Sequence, residues 1–152
     1  MKTEKDYEDL LKLFNKHKVK YCIIGAFAVA FYAIPRYTKD MDILVEPSLE
    51  NGCQIIKALN EFGFDKLNLT EEDFNRKGRF IQLGYEPVRI DLITSISGIN
   101  FEKAWKNRKK GTYGNIKASF IGINELIKSK KIARRKQDKL DLDILLQAKR
   151  KI

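Results

Sequence analysis

Two carboxylates, Asp40 and Asp42, stand two residues apart in "RYTKDMDILVEP", and a third, Asp91, interrupts the apolar run "VRIDLIT". If the first stretch is extended, its side chains alternate between two faces, and Arg36, Thr38, Asp40 and Asp42 fall on one of them. The Cα atoms of the two acids would then be about 6.6 Å apart, with both carboxylates converging on one side. Such a pair repels itself unless a cation relieves the cost. Hard oxygen ligands suit magnesium or manganese, and the ion in turn recruits the phosphates of a nucleotide. A pair on one strand and a third acid from a neighbouring strand is what a two-metal phosphoryl-transfer centre needs, its ions about 3.5 to 4 Å apart. An acid within a strand core also needs a reason, which makes Asp91 the expected third member.

Complementary charge lies close by in the sequence. Arg36 and Thr38 share the face of the acidic pair and can bind phosphate oxygens. Gly25 stands at a turn ahead of a helix, where backbone N–H groups and the positive dipole end could seat a triphosphate over the metals. No P-loop or G-x-G-x-x-G is present. In the tail "KSKKIARRKQDKLDLDILLQAKRK", Lys130 and Arg135 are placed either near a nucleotide or RNA acceptor, where phosphate contacts give affinity without sequence, or in ion pairs with Asp138 and Asp141. Aromatic interleaving there is thin, with Trp105 and Tyr113 upstream, so base stacking is weakly signalled.

The elements that must carry these residues follow from apolar spacing. Tyr7, Leu10, Leu11 and Phe14 predict an amphipathic helix over roughly Glu4 to His17. "VKYCIIG" reads as a strand ending at Gly25, and "AFAVAFYA" as a helix stopped by Pro35. "MDILVE" is a second strand, closed by Pro47 before a helix over about Leu49 to Phe62. "RFIQLGY" and "VRIDLIT" make a hairpin around a short "EP" turn. Phe101 to Lys110 reads as helical, "GTYGNIKASFIG" as turn glycines with one short strand, and two helices cover about Asn124 to Ala133 and Gln137 to Lys149. Leu140, Ile144, Leu145 and Ala148 form the apolar stripe of the last one, which argues against an exposed DNA-reading helix. The fold class is α+β: a small mixed sheet flanked by helices, with a helical C-terminus.

Composition sets the outer bounds. A chain of 152 residues, 43% of them apolar, suffices for one domain, expected over residues 1–152 with no linker. Its net charge of +10 is uneven: residues 1–102 carry 14 basic and 16 acidic side chains, and residues 103–152 carry 16 and 4. The basic last third favours a polyanionic partner, such as nucleotide phosphates or nucleic acid. Two cysteines and one histidine argue against a zinc site and fit a reducing cytoplasm. The run "YCIIGAFAVAFYAI" is too short to span a bilayer, and the acids before it do not suit a signal peptide, so no membrane association is expected.

Taken together, "IIGAFAVAFYAIPRYTKDMDILV", "RIDLITSISGINFEKAW" and "LIKSKKIARRKQDKLDLDIL" resemble the nucleotidyltransferase superfamily of the DNA polymerase beta type. The nearest match is to small bacterial and archaeal nucleotidyltransferase-like proteins related to abortive-infection type IV toxins of toxin-antitoxin systems. The family motif reads Gly-Gly-x-Ala, then Pro-Arg-x-Thr-x-Asp-x-Asp, a later lone Asp, and a terminal Lys, Arg and Asp pattern. The resemblance implies metal ligands at Asp40 and Asp42 and a third acid at Asp91. It implies nucleotide contacts from the Gly25–Ala26 turn, Arg36, Thr38 and Lys130, with Arg135 in the same basic block. It implies a magnesium-dependent enzyme that moves an NMP unit from an NTP such as ATP to a hydroxyl-type acceptor, RNA or a small molecule, releasing pyrophosphate. A controlling partner protein is a further expectation. The chain departs from the motif at Ala26, where the second glycine of the turn belongs, and at Ala33. A competing expectation is a catalytically inactive nucleotide- or nucleic-acid-binding module on the same fold, with Ala26 as its support.

Overall fold

A computed structural model describes residues 3–33, 40–85 and 87–151. Its centre is a six-stranded mixed sheet built from β1 (Tyr21–Ile24), β2 (Asp40–Val45), β3 (Phe80–Tyr85), β4 (Val88–Ile93), β5 (Lys109–Tyr113) and β6 (Ile116–Phe120). The order across the sheet is β3-β4-β2-β1-β6-β5. β2 runs parallel to β4 and β1 parallel to β6, while β1–β2, β3–β4 and β5–β6 are antiparallel. The two middle strands, β1 and β2, have the most continuous apolar sequences, as strands covered on both faces require.

Helices cover both faces. On one, α1 (Lys5–Lys16) and α3 (Leu49–Phe62) pack Tyr7, Leu10, Leu11, Phe14, Ile55 and Leu59 against Ile23, Met41, Ile43, Ile90 and Leu92. The apolar residues of α1 recur at i, i+3, i+4 and i+7, so one stripe of the helix is buried. α3 begins where Ser48 Oγ accepts the Asn51 N–H at 3.1 Å and ends at Gly63, whose φ of +108° a residue with a Cβ resists. On the other face lie α2 (Gly25–Tyr32), α4 (Phe101–Lys106), α5 (Ile123–Ala133) and α6 (Lys136–Arg150), joined to the sheet through Cys22, Ile24, Leu44, Ala104, Ile121, Leu126 and Leu145. The buried Cys22 thiol, pushed up to about 12 by burial, behaves as a small apolar group. No helix among the described residues is long and apolar enough to cross a membrane.

Two expectations require correction. The helix predicted over Phe101 to Lys110 ends at Lys106, and Lys109–Tyr113 is a strand. The stretch "GTYGNIKASFIG" completes a hairpin of two strands, β5 and β6, where one short strand was expected. The reason lies in long-range packing: a Cβ on Gly111 would meet Phe31 Cε1 at 2.5 Å, so the lysine-rich segment lies against α2 as an edge strand. Gly114, with φ +60°, makes the two-residue turn between Tyr113 and Ile116.

Candidate active-site cleft

The register of β2 on β4 sets Asp42 directly beside Asp91 and Asp40 beside Arg89. Parallel neighbours in register point the same way, so these four side chains share one face of the sheet. Ile24, the last residue of β1, pairs with Asp42 on the other flank. The chain then turns into α2 at Gly25, with φ +68°, and a Cβ there would stand 2.5 Å from Asp42 Oδ2. Glycine is needed twice over: for the left-handed backbone and for the approach to the acid. Ala26 lies inside α2 and is not among the described residues with positive φ, so its Cβ brings no left-handed backbone strain to the turn.

Electrostatics in the cleft are dominated by crowded negative charge. Burial, then the facing Asp91, then Asp40, push the Asp42 carboxyl up to about 7 against the opposing pull of Arg89. Asp91 is buried, and Arg89 Nε donates to its Oδ1 at 2.9 Å. The Arg89 guanidinium also lies 5.9 Å from the centroid of the half-exposed Phe80 ring. Among the described residues, Arg89 is thus a cation bonded directly to this group of acids.

The far wall comes from α5 and α6. Arg134 closes α5 in the left-handed region, φ +57°, and the tight reversal brings α6 back alongside. Lys130 Nζ then lies 3.2 Å from Asp138 Oδ1 and 3.2 Å from Asp141 Oδ2. Arg135 Nε donates to Asp138 Oδ2 at 2.8 Å, and Gln137 Nε2 to Asp141 Oδ1 at 2.9 Å. Burial works to raise the Asp138 carboxyl, but its bonds to Arg135 and Lys130 outweigh that and hold it low. Lys130 is buried, whereas the Arg135 side chain is largely exposed.

These walls enclose a cleft of about 390 Å³. Gly25, Asp40, Asp42, Asp91, Lys130 and Arg135 all line it, drawn together from four elements, α2, β2, β4 and α5, and the turn between α5 and α6. Arg36 and Thr38 lie outside the described residues. Sequence reasoning overlooked Arg89 and Phe80, which also line the cleft. The signal for Arg89 was available, because it precedes Asp91 by two residues, the spacing that puts two strand side chains on one face.

The donor set fits a hard divalent cation by its chemistry: clustered carboxylate oxygens, with burial and then the neighbouring acids raising the Asp42 carboxyl. Among the described residues no three His, Cys, Asp or Glu side chains stand in a geometry that would by itself hold an ion. Arg89, bonded to Asp91, fills the role of counter-ion in this arrangement.

No family model matches the sequence, and no curated protein is significantly similar to it. Solved structures do match. A candidate nucleotidyltransferase from Thermotoga maritima, TM1012, superposes with a TM-score of 0.61 at 14% identity, over 93% of this chain and 90% of that one. A lincosamide antibiotic adenylyltransferase, LnuA, solved with lincomycin bound, superposes with a TM-score of 0.58 at 17% identity, over 96% of this chain and 98% of that one. At these identities the likeness establishes architecture, and the chain has the α+β fold of solved nucleotidyltransferases.

Proposed function

We propose that the protein is a metal-dependent nucleotidyltransferase that moves an NMP unit from an NTP to a hydroxyl acceptor and releases pyrophosphate. The observation that carries this reading is the register of β2 on β4, which places Asp42 and Asp91 side by side with Asp40 in one open cleft. Asp40 and Asp42, with Asp91, would hold magnesium, which supplies charge neutralisation at the phosphates and an activated acceptor oxygen. The N–H groups that open α2 at Gly25 would face the triphosphate, with Lys130 and Arg135 on the opposite wall drawing phosphate charge. Asp91 would orient the acceptor hydroxyl and take its proton as the new P–O bond forms. The α-phosphorus would pass to the acceptor oxygen while the bond to the bridging oxygen breaks and pyrophosphate leaves with the electron pair.

A small-molecule acceptor is supported by the fold match to an adenylyltransferase solved with lincomycin bound. The test is pyrophosphate release from each NTP with magnesium and a panel of hydroxylated acceptors. Activity should vanish in Asp40→Asn while the circular dichroism spectrum is unchanged. Equal turnover in wild type and Asp40→Asn would refute the assignment.

A further inference from the structure

A second cleft, of about 490 Å³, lies beside the first and shares Ile96 and Ser97 with it. Its floor includes Leu44, two residues beyond Asp42 on the same face of β2 and therefore about 7 Å from it. Its wall is built deliberately. Thr94 Oγ1 accepts the Arg79 N–H at 2.8 Å, Ser95 Oγ accepts the Gly78 N–H at 2.7 Å, and the Thr94 N–H donates to Arg79 O at 3.1 Å. These bonds clip the segment after β4 to the segment before β3. A hydroxyl that accepts such a bond keeps its own hydrogen to donate.

The lining is mixed: Leu44, Pro47 and Phe101 are apolar, Ser95 and Ser97 carry hydroxyls, and among the described residues Lys77 is the one that is charged. The volume is in the range of small-molecule sites. A polynucleotide track needs several cations along a backbone, and this cleft has one. A polycationic ligand would need acids, and none lines it among the described residues.

We propose that this second cleft is the acceptor subsite, and that it takes a neutral or anionic, hydroxyl-rich small molecule with one apolar face, of the size of a glycoside. The inference rests on the reading of the acidic cleft as the site of nucleotidyl transfer. A hydroxyl of the bound molecule reaches the α-phosphorus across Ile96 and Ser97. Its oxygen forms the new P–O bond, its proton passes to Asp91, and pyrophosphate departs with the electrons of the broken bond.

The test uses methyl glucoside, methyl galactoside and phenyl glucoside as probes, with binding read by saturation-transfer NMR and turnover by pyrophosphate release. Lys77 is exposed and lines the second cleft but not the first, so Lys77→Trp fills part of the second cleft with a bulky side chain outside the acidic one. Wild type and Asp40→Asn should bind at least one probe equally, and Lys77→Trp should bind it at least about tenfold more weakly while still binding magnesium ATP. No binding by any probe, or binding that Lys77→Trp leaves unchanged, overturns the proposal. So does use of a single-stranded oligonucleotide as acceptor with no glycoside bound, which leaves nucleotidyl transfer standing. Glycoside binding lost in Lys77→Trp, without pyrophosphate release from any NTP, upholds the cleft as a binding site and refutes its acceptor role together with the transferase reading.

Discussion

Replacing Asp42 with Asn should make the protein more stable in neutral and alkaline solution while removing the proposed nucleotidyl transfer. Burial, with Asp91 and Asp40 close by, raises the Asp42 carboxyl from 3.8 to about 7. Between those values the folded protein keeps a proton that the unfolded chain gives up. Stability therefore falls as pH rises from about 4 to about 7, and the full penalty persists above that. A rise of about three units corresponds to about 4 kcal/mol. Asp42 lies at an open cleft where solvent screens part of the repulsion, so the expected gain in Asp42→Asn at pH 8 is roughly 2 kcal/mol. The gain should vanish near pH 4, where the folded wild type is already protonated. Urea denaturation followed by circular dichroism at the two pH values measures it, and adding magnesium at pH 8 should narrow the difference by stabilising the wild type alone. An Asp42→Asn variant no more stable than wild type at pH 8 would refute the claim that the acids are held together at a cost.

Gly25→Ala should cost roughly 2 to 3 kcal/mol in urea denaturation, about 1 to 2 of it from the positive φ and the rest from a Cβ set against Asp42; an unchanged midpoint would contradict the close approach. Lys130→Ala removes the cation between two buried acids and should lose about 3 kcal/mol, with Asp141→Asn restoring part of it. Because Asp138 is held low, the stability that its ion pairs contribute should be lost as pH falls through the carboxylate range, as an acid titration of the folded fraction would show. Arg89→Gln removes the cation bonded to Asp91 and should tighten magnesium binding by about tenfold in calorimetry; weaker binding would mean that Arg89 organises the acids for the ion.

The mixed α+β character, the first two helix–strand units and the β3–β4 hairpin were legible because their apolar spacing is local and strong. The hairpin of β5 and β6 was only half legible: one short strand was expected in that stretch, but the lysine-rich β5 read as helix, and it forms against Phe31, 80 residues upstream of Gly111 in the chain. Arg89 was overlooked for a related reason. Period two already puts it on the face of Asp91, to which it bonds, whereas its place beside Asp40 depends on strand register, a long-range property.

The sequence by itself determined which side chains could do chemistry: an alternating pair of acids at Asp40 and Asp42, a lone acid at Asp91 in an apolar strand, a glycine ahead of a helix, and a basic tail. Period-two alternation is enough to put Asp40 and Asp42 on one face. Only the tertiary structure decided that Asp91 stands beside Asp42, that Gly25 has no room for a Cβ, and that Lys130 is held between Asp138 and Asp141. Those facts arise where β4 joins β2 and where α6 folds back on α5, because contacts between segments distant in sequence are chosen by the packing of the whole core.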